Sequence, residues 1–382
     1  MNIPQTQPGT LDASRMVCKE CGHTVDVPPL AHKQRALCPH CQHVLVSHHL
    51  HSEQRMLAFG LAGLVLLVLA IPFDFILFSN RGQENTIHVL SGVTILLEQG
   101  NPLLALVLFL AIVLLPAAIL ASLVVLLWPR KRPLPERASS LLVRVVERLL
   151  PWSMAEIFVV GVLVSLIKIS ELAEVHLGFS FYAYVGFTLC GTLTVIHLDI
   201  LRLRQRLAIP QVTTTINRSH SVQTTWALLL TALFLYIPAN TLPIMHTRVL
   251  GQDEPSTILG GVVTLWKMGS YPIALVIFVA SVLVPIAKLI VLAWLNYTVQ
   301  NGSTGWQRER ILGYRITEFI GRWSMVDVFV VALLVSLVQL GNSMSVLPGP
   351  AALAFCGVVL FTMLAARSFD QRLIFKGHSH HA

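Results

Sequence analysis

Apolar residues in this chain gather into long runs that are separated by short polar segments. Eight of these runs are long enough, or nearly so, to cross a hydrocarbon core about 30 Å thick as helices of about 20 residues. The runs lie at about 57–78, 103–128, 154–173, 179–198, 224–245, 272–297, 325–341 and 351–368. The pattern therefore predicts an all-α polytopic membrane protein with eight transmembrane helices.

The second half of the chain repeats the first. Residues 152–158 (WSMAEIF) recur at 323–329 (WSMVDVF), and Pro116 recurs as Pro285. Because each repeat holds an even number of predicted helices, both repeats enter and leave on the same side, as parallel repeats do. The predicted units are a four-helix module at 53–200, a basic linker at 201–221, a second four-helix module at 222–375 and a histidine-rich tail at 376–382.

The charge pattern supports a membrane topology. Charged residues make up 12% of the chain, about half the share in a soluble domain, which excludes a soluble globular protein and a disordered chain. The net charge is +8, and most basic residues fall in segments on one predicted side, such as 130–137 and 202–206. Since cytoplasmic loops carry the excess of Lys and Arg, both termini are predicted to be cytoplasmic. The basic excess is thus topological and does not indicate nucleic-acid binding.

Four cysteines form two CxxC pairs in the polar segment 1–50: Cys18, Cys21, Cys38 and Cys41. Two such pairs at this spacing are typical of a tetrathiolate zinc ribbon, because each CxxC turn directs two thiolates at one ion. Gly22 suits the tight turn after Cys21. Iron is the alternative metal, since four thiolates also suit iron. A structural role is the simpler interpretation, because so small a domain needs a metal to fold.

Five polar side chains interrupt the predicted helices of the second module: Ser281, Lys288, Ser324, Asp327 and Thr362. Polar groups inside a membrane are costly and usually face a cavity or one another. Pro285 can loosen its helix and free a backbone carbonyl. We expect Lys288 and Asp327 to pair, with the hydroxyls as partners. The network either fixes helix packing or changes protonation or conformation during transport, and both interpretations stay open.

The first module lacks most of this network. Ile119, Ile112 and Gly191 stand where the second module has Lys288, Ser281 and Thr362, while Ser153 and Glu156 remain polar. We therefore expect the second module to carry the working site. The first module would then be mainly a scaffold.

The fifth apolar run ends with Pro238, Asn240 and Pro243. Two prolines around a polar amide predict a broken helix near the outer face, with the amide bonding a freed carbonyl. The break is either a structural kink or a part of a gate or lipid cavity.

Motifs for catalysis are missing from the sequence. It contains no nucleotide-binding loop, no Ser-His-Asp pattern and no HExxH helix. An enzyme is therefore not expected.

Three features together resemble the paraquat-inducible protein A family of Gram-negative inner-membrane proteins. They are the N-terminal CxxC…CPxC ribbon, the segment 237–245 (IPANTLPIM) and the segment 321–334 (GRWSMVDVFVVALL). The resemblance covers about residues 15–375. One departure is that many relatives have a second CxxC…CxxC ribbon between the modules, whereas residues 199–222 contain no cysteine.

The resemblance implies an inner-membrane role in moving phospholipids between the two membranes of the cell envelope. It also implies tetraspanin-like modules and a periplasmic partner, a mammalian-cell-entry (MCE) domain protein that forms a hydrophobic tunnel. Zinc would be the cofactor, and Glu156 of the first module would join the polar network of the second. Two alternatives remain: a non-transporting scaffold for that tunnel, and a redox protein that uses the tetrathiolate site.

Overall fold

The computed structural model describes most of the chain. The described residues are 14–18, 20–27, 34–42, 44–47, 52–80, 83–129, 135–169, 174–207, 209, 217–249, 252–267, 269, 271–302, 307–337 and 344–375. The histidine-rich tail, residues 208 and 210–216 of the basic linker and the side chain of Asp327 lie outside this description.

The N-terminal segment folds as two antiparallel hairpins, each with a CxxC turn at one end. Its strands are β1 (Ser14–Val17), β2 (Thr24–Val27), β3 (Arg35–Leu37) and β4 (Val44–Ser47). Strand β1 pairs with β2, and β3 pairs with β4. The buried residues between the hairpins are the four cysteines with Val27 and Leu45. So small an apolar core is typical of a domain that a metal stabilises.

The helices of the first repeat are α1 (Ser52–Ala70), α2 (Ser91–Glu98), α3 (Pro102–Phe109), α4 (Leu115–Leu127), α5 (Glu136–Leu149), α6 (Ala155–Ile169), α7 (Phe179–Ile196) and α8 (Ile200–Arg206). The long helices α1, α4, α6 and α7 have apolar residues on all sides, as expected for helices buried in lipid and protein. A π-helical turn, Leu110–Leu114, joins α3 to α4 in one continuous rod.

The second repeat follows the same order. Its helices are α9 (Arg218–Thr241), α10 (Ile258–Lys267), α11 (Tyr271–Phe278), α12 (Val284–Gln300), α13 (Gln307–Trp323), α14 (Val326–Leu337) and α15 (Pro350–Ser368). The π-helical turn Val279–Leu283 joins α11 to α12. A 3₁₀ turn, Gln371–Ile374, follows α15.

Each repeat also holds a three-stranded antiparallel sheet, which the all-α prediction missed. The strands are β5 (Ile76–Asn80), β6 (Gln83–Ile87), β7 (Glu174–Leu177), β8 (Met245–Val249), β9 (Gln252–Ser256) and β10 (Met344–Pro348). The strand orders are β6-β5-β7 and β9-β8-β10. In each repeat, the sheet pairs the hairpin after the first long helix, α1 or α9, with the strand before α7 or α15. In each repeat, the loop after the first long helix thus contains a hairpin followed by α2 or α10.

Seven helical segments in the described residues are long and apolar enough to cross a membrane. They are Glu53–Ala70, Pro102–Leu127, Glu136–Leu166, Phe179–Ile196, Arg218–Thr241, Ala274–Gln300 and Pro350–Ser368. The third of them runs over α5 and α6 together. The predicted seventh run corresponds to α14, which has 12 described residues and precedes the undescribed segment 338–343. The eight-helix arrangement therefore stays a prediction.

The two repeats use the same internal packing. Helix α1 lies along α7 in the first repeat, and α9 lies along α15 in the second. Gly178 directly precedes α7, and Gly349 directly precedes α15. A Cβ at Gly178 would lie 2.0 Å from the Asp74 carbonyl oxygen, and a Cβ at Gly349 would lie 2.1 Å from the Pro243 carbonyl oxygen. Only glycine permits this close approach of backbone to backbone.

One local prediction needs correction. The helix does not break at Pro238, because α9 continues through it and ends at Thr241, just before Pro243.

The basic segments before α6 and α14 are helical. They form the amphipathic helices α5 and α13, and one side of each helix packs on the protein.

Candidate functional site

The four N-terminal cysteines converge on one point. Cys18 Sγ lies 3.5 Å from Cys41 Sγ, and Cys21 Sγ lies 3.5 Å from Cys38 Sγ. All four sulfur atoms lie within 4.8 Å of one another, and all four residues are buried. Four thiolates around zinc at about 2.3 Å would be separated by about 3.8 Å. The cluster can therefore hold a metal ion in tetrahedral geometry.

Two matching backbone turns place these sulfur atoms. Gly22 N donates to Cys18 O at 2.9 Å, and Gln42 N donates to Cys38 O at 2.8 Å. Both turn residues have positive φ, 73° at Gly22 and 57° at Gln42. The tight turn predicted at Gly22 is confirmed, and Gln42 adopts the same conformation without being glycine.

The pKa values of Cys21 and Cys38 are shifted in opposite directions. Burial raises the pKa of Cys21, and the neighbouring Cys38 and Cys18 thiols add to this rise. Burial also acts to raise the pKa of Cys38, but hydrogen bonds from the backbone of Cys41 and His40 lower it below its ordinary value. Backbone donors that favour a thiolate also favour metal ligation, since the thiolate is the ligand.

The ribbon is docked on the second repeat through α13 and the C-terminal turn. Arg315 Nη2 donates to Glu20 Oε2 at 2.6 Å and to the Cys41 carbonyl at 3.4 Å. The hydrogen bond to Glu20 raises the pKa of Arg315. The His40 ring meets the Phe375 ring edge to face, with centroids 4.8 Å apart. One arginine therefore connects the cysteine cluster to α13.

A second candidate site is a cavity of about 260 Å³ between the two repeats. Residues of both repeats line it, and they come from α6, α7, α12, α13, α15 and the turn that follows α5. The charged and hydroxyl side chains on its wall are Ser153, Glu156, Lys288, Tyr314, Thr317, Glu318, Thr362 and Arg367. A cavity that holds two cations and two carboxylates is unusual among helices this apolar.

Lys288 is the most deeply buried charged group on this wall, with 3% of its surface exposed. Its Nζ donates to Thr362 Oγ1 at 2.9 Å, so the structure joins two residues of the predicted network. Gly321 of α13 covers the ammonium, because a Cβ there would lie 3.8 Å from Lys288 Nζ. An ammonium has three donors, and the Thr362 bond is the one it makes among the described side chains.

Helix α12, which carries Lys288, is loosened one turn before this residue. Proline lacks an N–H, so Pro285 cannot donate the regular helical hydrogen bond one turn back, and the π-helical turn Val279–Leu283 lies at this point. Turns of this kind occur often at functional sites. In the first repeat, Tyr184 donates its hydroxyl to the Ile112 carbonyl at 2.9 Å, the carbonyl that Pro116 leaves free. Phe355 stands at the matching position and has no hydroxyl.

The first repeat keeps only a remnant of the cavity. The matching space, lined by Ile119, Gly191 and Glu156 among others, has a volume of about 20 Å³. Ile119 and Ile112 are buried apolar side chains where Lys288 and Ser281 stand in the second repeat. This asymmetry agrees with the expected loss of the network from the first repeat.

Glu156 lines both spaces, and its Oε1 accepts a hydrogen bond from Thr192 Oγ1 at 2.7 Å. Ser281 and Ser324 are buried, and the Ser324 hydroxyl donates back to the Ile320 carbonyl at 3.3 Å. Asp327 lies in the first turn of α14, but its side chain is outside the described part of the chain. The Lys288–Asp327 pair therefore stays a prediction.

The predicted role of Asn240 changes. Its Nδ2 donates to the Tyr236 carbonyl one turn earlier, at 2.9 Å. This bond lies within the helix. The amide thus supports the last turn of α9 before Pro243 and does not bridge a broken helix.

The residues that α13 brings to the cavity were not among the predicted site residues. Tyr314 and Glu318 lie on its wall, and Arg367 of α15 donates to the Arg148 carbonyl at 3.0 Å. Burial, together with the Glu318 carboxylate, raises the pKa of Tyr314 to about 12. The sequence does hold a signal for these residues. Tyr314, Thr317 and Gly321 are spaced to lie on one face of α13, opposite a stripe of large apolar residues.

Comparison with known proteins identifies the family. The family model described as Paraquat-inducible protein A matches twice, at residues 53–208 and 222–379. The Intermembrane transport protein PqiA of Escherichia coli (strain K12) is 37% identical over 94% of this chain and 95% of its own length.

Two further relatives are more distant. The Lipophilic envelope-spanning tunnel protein A of Escherichia coli (strain K12) is 28% identical over 94% of this chain and 91% of its own length. A Probable intermembrane transport protein of Haemophilus influenzae is 28% identical over 98% of this chain and 99% of its own length. No solved structure matches. Since the family model covers both repeats, the chain belongs to the paraquat-inducible protein A family.

Proposed function

We propose that this chain is the inner-membrane subunit of an intermembrane lipid transport system. It would pass phospholipids to or from a periplasmic MCE-domain tunnel protein. The observation that carries the proposal is the cavity between the repeats, where Lys288 is buried among apolar helices and bonded to Thr362. Buried charge in a membrane protein usually marks a transport pathway. The names of the relatives, which include intermembrane transport and an envelope-spanning tunnel, support the same function.

The proposed architecture is two parallel four-helix modules at 53–200 and 222–375, with both termini in the cytoplasm. The concentration of basic residues on one side supports this orientation. With this orientation the cavity mouth would lie near the cytoplasmic leaflet, since Arg367 and residues of helix α13 line it. Lipid would enter there and leave at the opposite face.

We propose that zinc occupies the cysteine cluster. The four thiol ligands, their separations and the two matching turns support zinc, and the free thiols suit a reducing cytoplasm. The cluster would stabilise the ribbon, and Arg315 would hold the ribbon against α13.

Transport is tested by purifying the intact protein from its host and identifying bound lipids and proteins by mass spectrometry. We expect phospholipid and an MCE-domain protein to co-purify. An MCE-domain protein without bound lipid would indicate a scaffold, and recovery of neither would contradict the proposal.

The role of Lys288 is tested by Lys288→Met, which removes the charge and keeps most of the volume. Its matched control is Ile119→Met, at the same position of the first repeat. We expect Lys288→Met to abolish transfer of labelled phospholipid from proteoliposomes to the purified tunnel protein, and Ile119→Met to leave transfer near the wild-type rate. Equal transfer rates in both variants would indicate that the Lys288 charge serves only helix packing.

A further inference from the structure

The ribbon contacts the second repeat through α13 and through the segment that follows α15. Arg315 of α13 donates hydrogen bonds to the Glu20 carboxylate and to the Cys41 carbonyl. Phe375, directly after the 3₁₀ turn that follows α15, packs against the buried core of the ribbon, and its ring meets the His40 ring. The ribbon therefore bridges α13 and the C-terminal end of α15.

Both of these helices line the cavity between the repeats. Tyr314 of α13 lies on its wall, as do Thr362 and Arg367 of α15. Arg315, which binds the ribbon, directly follows Tyr314. Tyr314 Oη donates to the Ala366 carbonyl at 2.9 Å, so α13 and α15 are also joined next to this attachment. A movement of the ribbon therefore acts on the cavity wall through both helices.

Helix α13 also controls whether water reaches Lys288. Gly321 of α13 covers the ammonium, since a Cβ there would lie 3.8 Å from Lys288 Nζ. The bond from Lys288 to Thr362 joins α12 to α15 and does not involve α13. If α13 moves away from α12, the ammonium therefore gains access to water while its bond to Thr362 stays intact.

The ribbon makes these contacts with groups in its two CxxC turns. Glu20 lies between Cys18 and Cys21. His40 and Cys41 belong to the second turn. Ligation of all four thiolates to one ion would fix the conformation of both turns, and the apolar core of the ribbon is too small to do so alone. The attachment to α13 and α15 therefore depends on a metal-loaded ribbon.

Helix α5 of the first repeat occupies the position equivalent to α13 but is bonded differently. Arg144 stands at the position of Arg315, and its guanidinium donates to Ser140 of the same helix at 3.1 Å. The space that matches the cavity is only about 20 Å³ in this repeat. Helix α5 therefore serves as an internal reference for any change in α13.

We propose that the ribbon is a metal-dependent clamp on the cavity between the repeats. A loaded ribbon holds α13 in place and keeps Lys288 covered. In the metal-free protein the CxxC turns lose their fixed conformation, Arg315 loses its partners, and α13 moves more freely over Lys288. Metal supply would thereby regulate how readily the cavity opens. The inference rests on the proposed zinc site and the proposed transport, and adds a regulation to them.

The expected change is local. The Arg315–Glu20 pair is partly exposed, and such pairs are individually weak. Loss of the Arg315 hydrogen bonds should therefore change the opening equilibrium of α13 by about threefold to tenfold. Thr317 stays buried and Tyr314 keeps its bond to α15, so α13 is loosened and does not unfold.

The experiment is hydrogen–deuterium exchange with mass spectrometry on the intact protein in detergent. The protein is compared as loaded with zinc, after removal of the metal by a chelator, and after zinc is added back. We expect amide exchange in α13 to rise about threefold to tenfold without metal and to return with zinc, while exchange in α5 stays constant. Arg315→Ala should raise exchange in α13 even in the zinc-loaded protein. Its matched control, Arg144→Ala, should leave α13 unchanged.

A second readout follows the cover of Lys288. The same three samples are treated with a water-soluble amine-acylating reagent, and the modified lysines are identified by mass spectrometry. We expect Lys288 to react severalfold faster in the metal-free protein. Lys267, which is exposed on α10, is the reference and should react at one rate in all samples.

The other outcomes separate the clamp from the functions on which it rests. Equal exchange in α13 with and without metal would overturn the clamp, as would a rise that α5 shares, since that would show a general loss of stability. A cluster that binds no zinc would overturn the clamp together with the zinc site. A metal-dependent α13 in protein that carries no lipid would support the clamp and contradict transport. If Arg315→Ala fails to fold, the wild-type comparison still decides.

Discussion

Phe158 and Phe329 occupy the same position in the two repeats, and their rings pack edge to face against each other with centroids 5.8 Å apart. Phe158 lies on α6 and Phe329 on α14, and both are fully buried. Because the two residues are equivalent and touch each other, the axis that relates the repeats passes between α6 and α14. Gly161 makes room for the contact, since a Cβ there would lie 3.2 Å from Phe329 Cβ.

This pair should be energetically coupled. We expect Phe158→Ala and Phe329→Ala each to destabilise the protein, and the double variant to lose less than the sum, with a coupling of about 0.5–1.5 kcal/mol. The measurement is the denaturation midpoint in detergent for the four members of the cycle. Phe234→Ala is the control, because Phe234 is 71% exposed on α9. Additive losses would show that the two rings do not interact across the interface.

The hydroxyl of Tyr184 should stabilise the first repeat. Tyr184→Phe removes the donor to the Ile112 carbonyl and leaves that buried carbonyl unsatisfied, which costs about 1–3 kcal/mol. Tyr182→Phe is the matched control, because Tyr182 lies two residues earlier and is 61% exposed. We expect a lower denaturation midpoint for Tyr184→Phe alone. A similar midpoint in both variants would mean that the π-helical turn satisfies the carbonyl by itself.

The docking of the ribbon should depend on Arg315. Arg315→Ala removes the bonds to Glu20 and to the Cys41 carbonyl, so we expect faster proteolysis between ribbon and membrane domain and faster loss of metal to a chelator. Arg144→Ala is the matched control. Arg144 is the equivalent arginine of α5, and it bonds Ser140 on its own helix. Unchanged proteolysis in Arg315→Ala would show that the His40–Phe375 contact is sufficient.

The cysteine cluster should hold one metal ion per chain. We expect elemental analysis of the purified protein to find zinc, and Cys18→Ser with Cys38→Ser to remove it. Cys190→Ser and Cys356→Ser serve as controls, since these cysteines lie in α7 and α15 far along the chain from the cluster. A coloured, iron-containing preparation would instead favour a redox role. If the metal persists in the variant that lacks Cys18 and Cys38, it binds elsewhere in the protein.

The sequence by itself determined the membrane class, the internal repeat and the four cysteines that cluster in the ribbon. Each of these depends on a local or periodic signal: runs of apolar residues, a fixed offset and CxxC spacing. The importance of Lys288 was also visible, because a charge inside an apolar run is rare enough to stand out.

Only the tertiary structure showed what surrounds Lys288. Thr362 and Arg367 come from α15, Glu156 from α6 and Glu318 from α13, and the spacing of these three helices along the chain does not predict that they meet at one cavity. The small sheets were missed because their strands are short and carry few apolar residues. Helix α9 continues through Pro238 because a proline near a helix end removes a single bond. Long-range packing decides these features, and local sequence does not encode it.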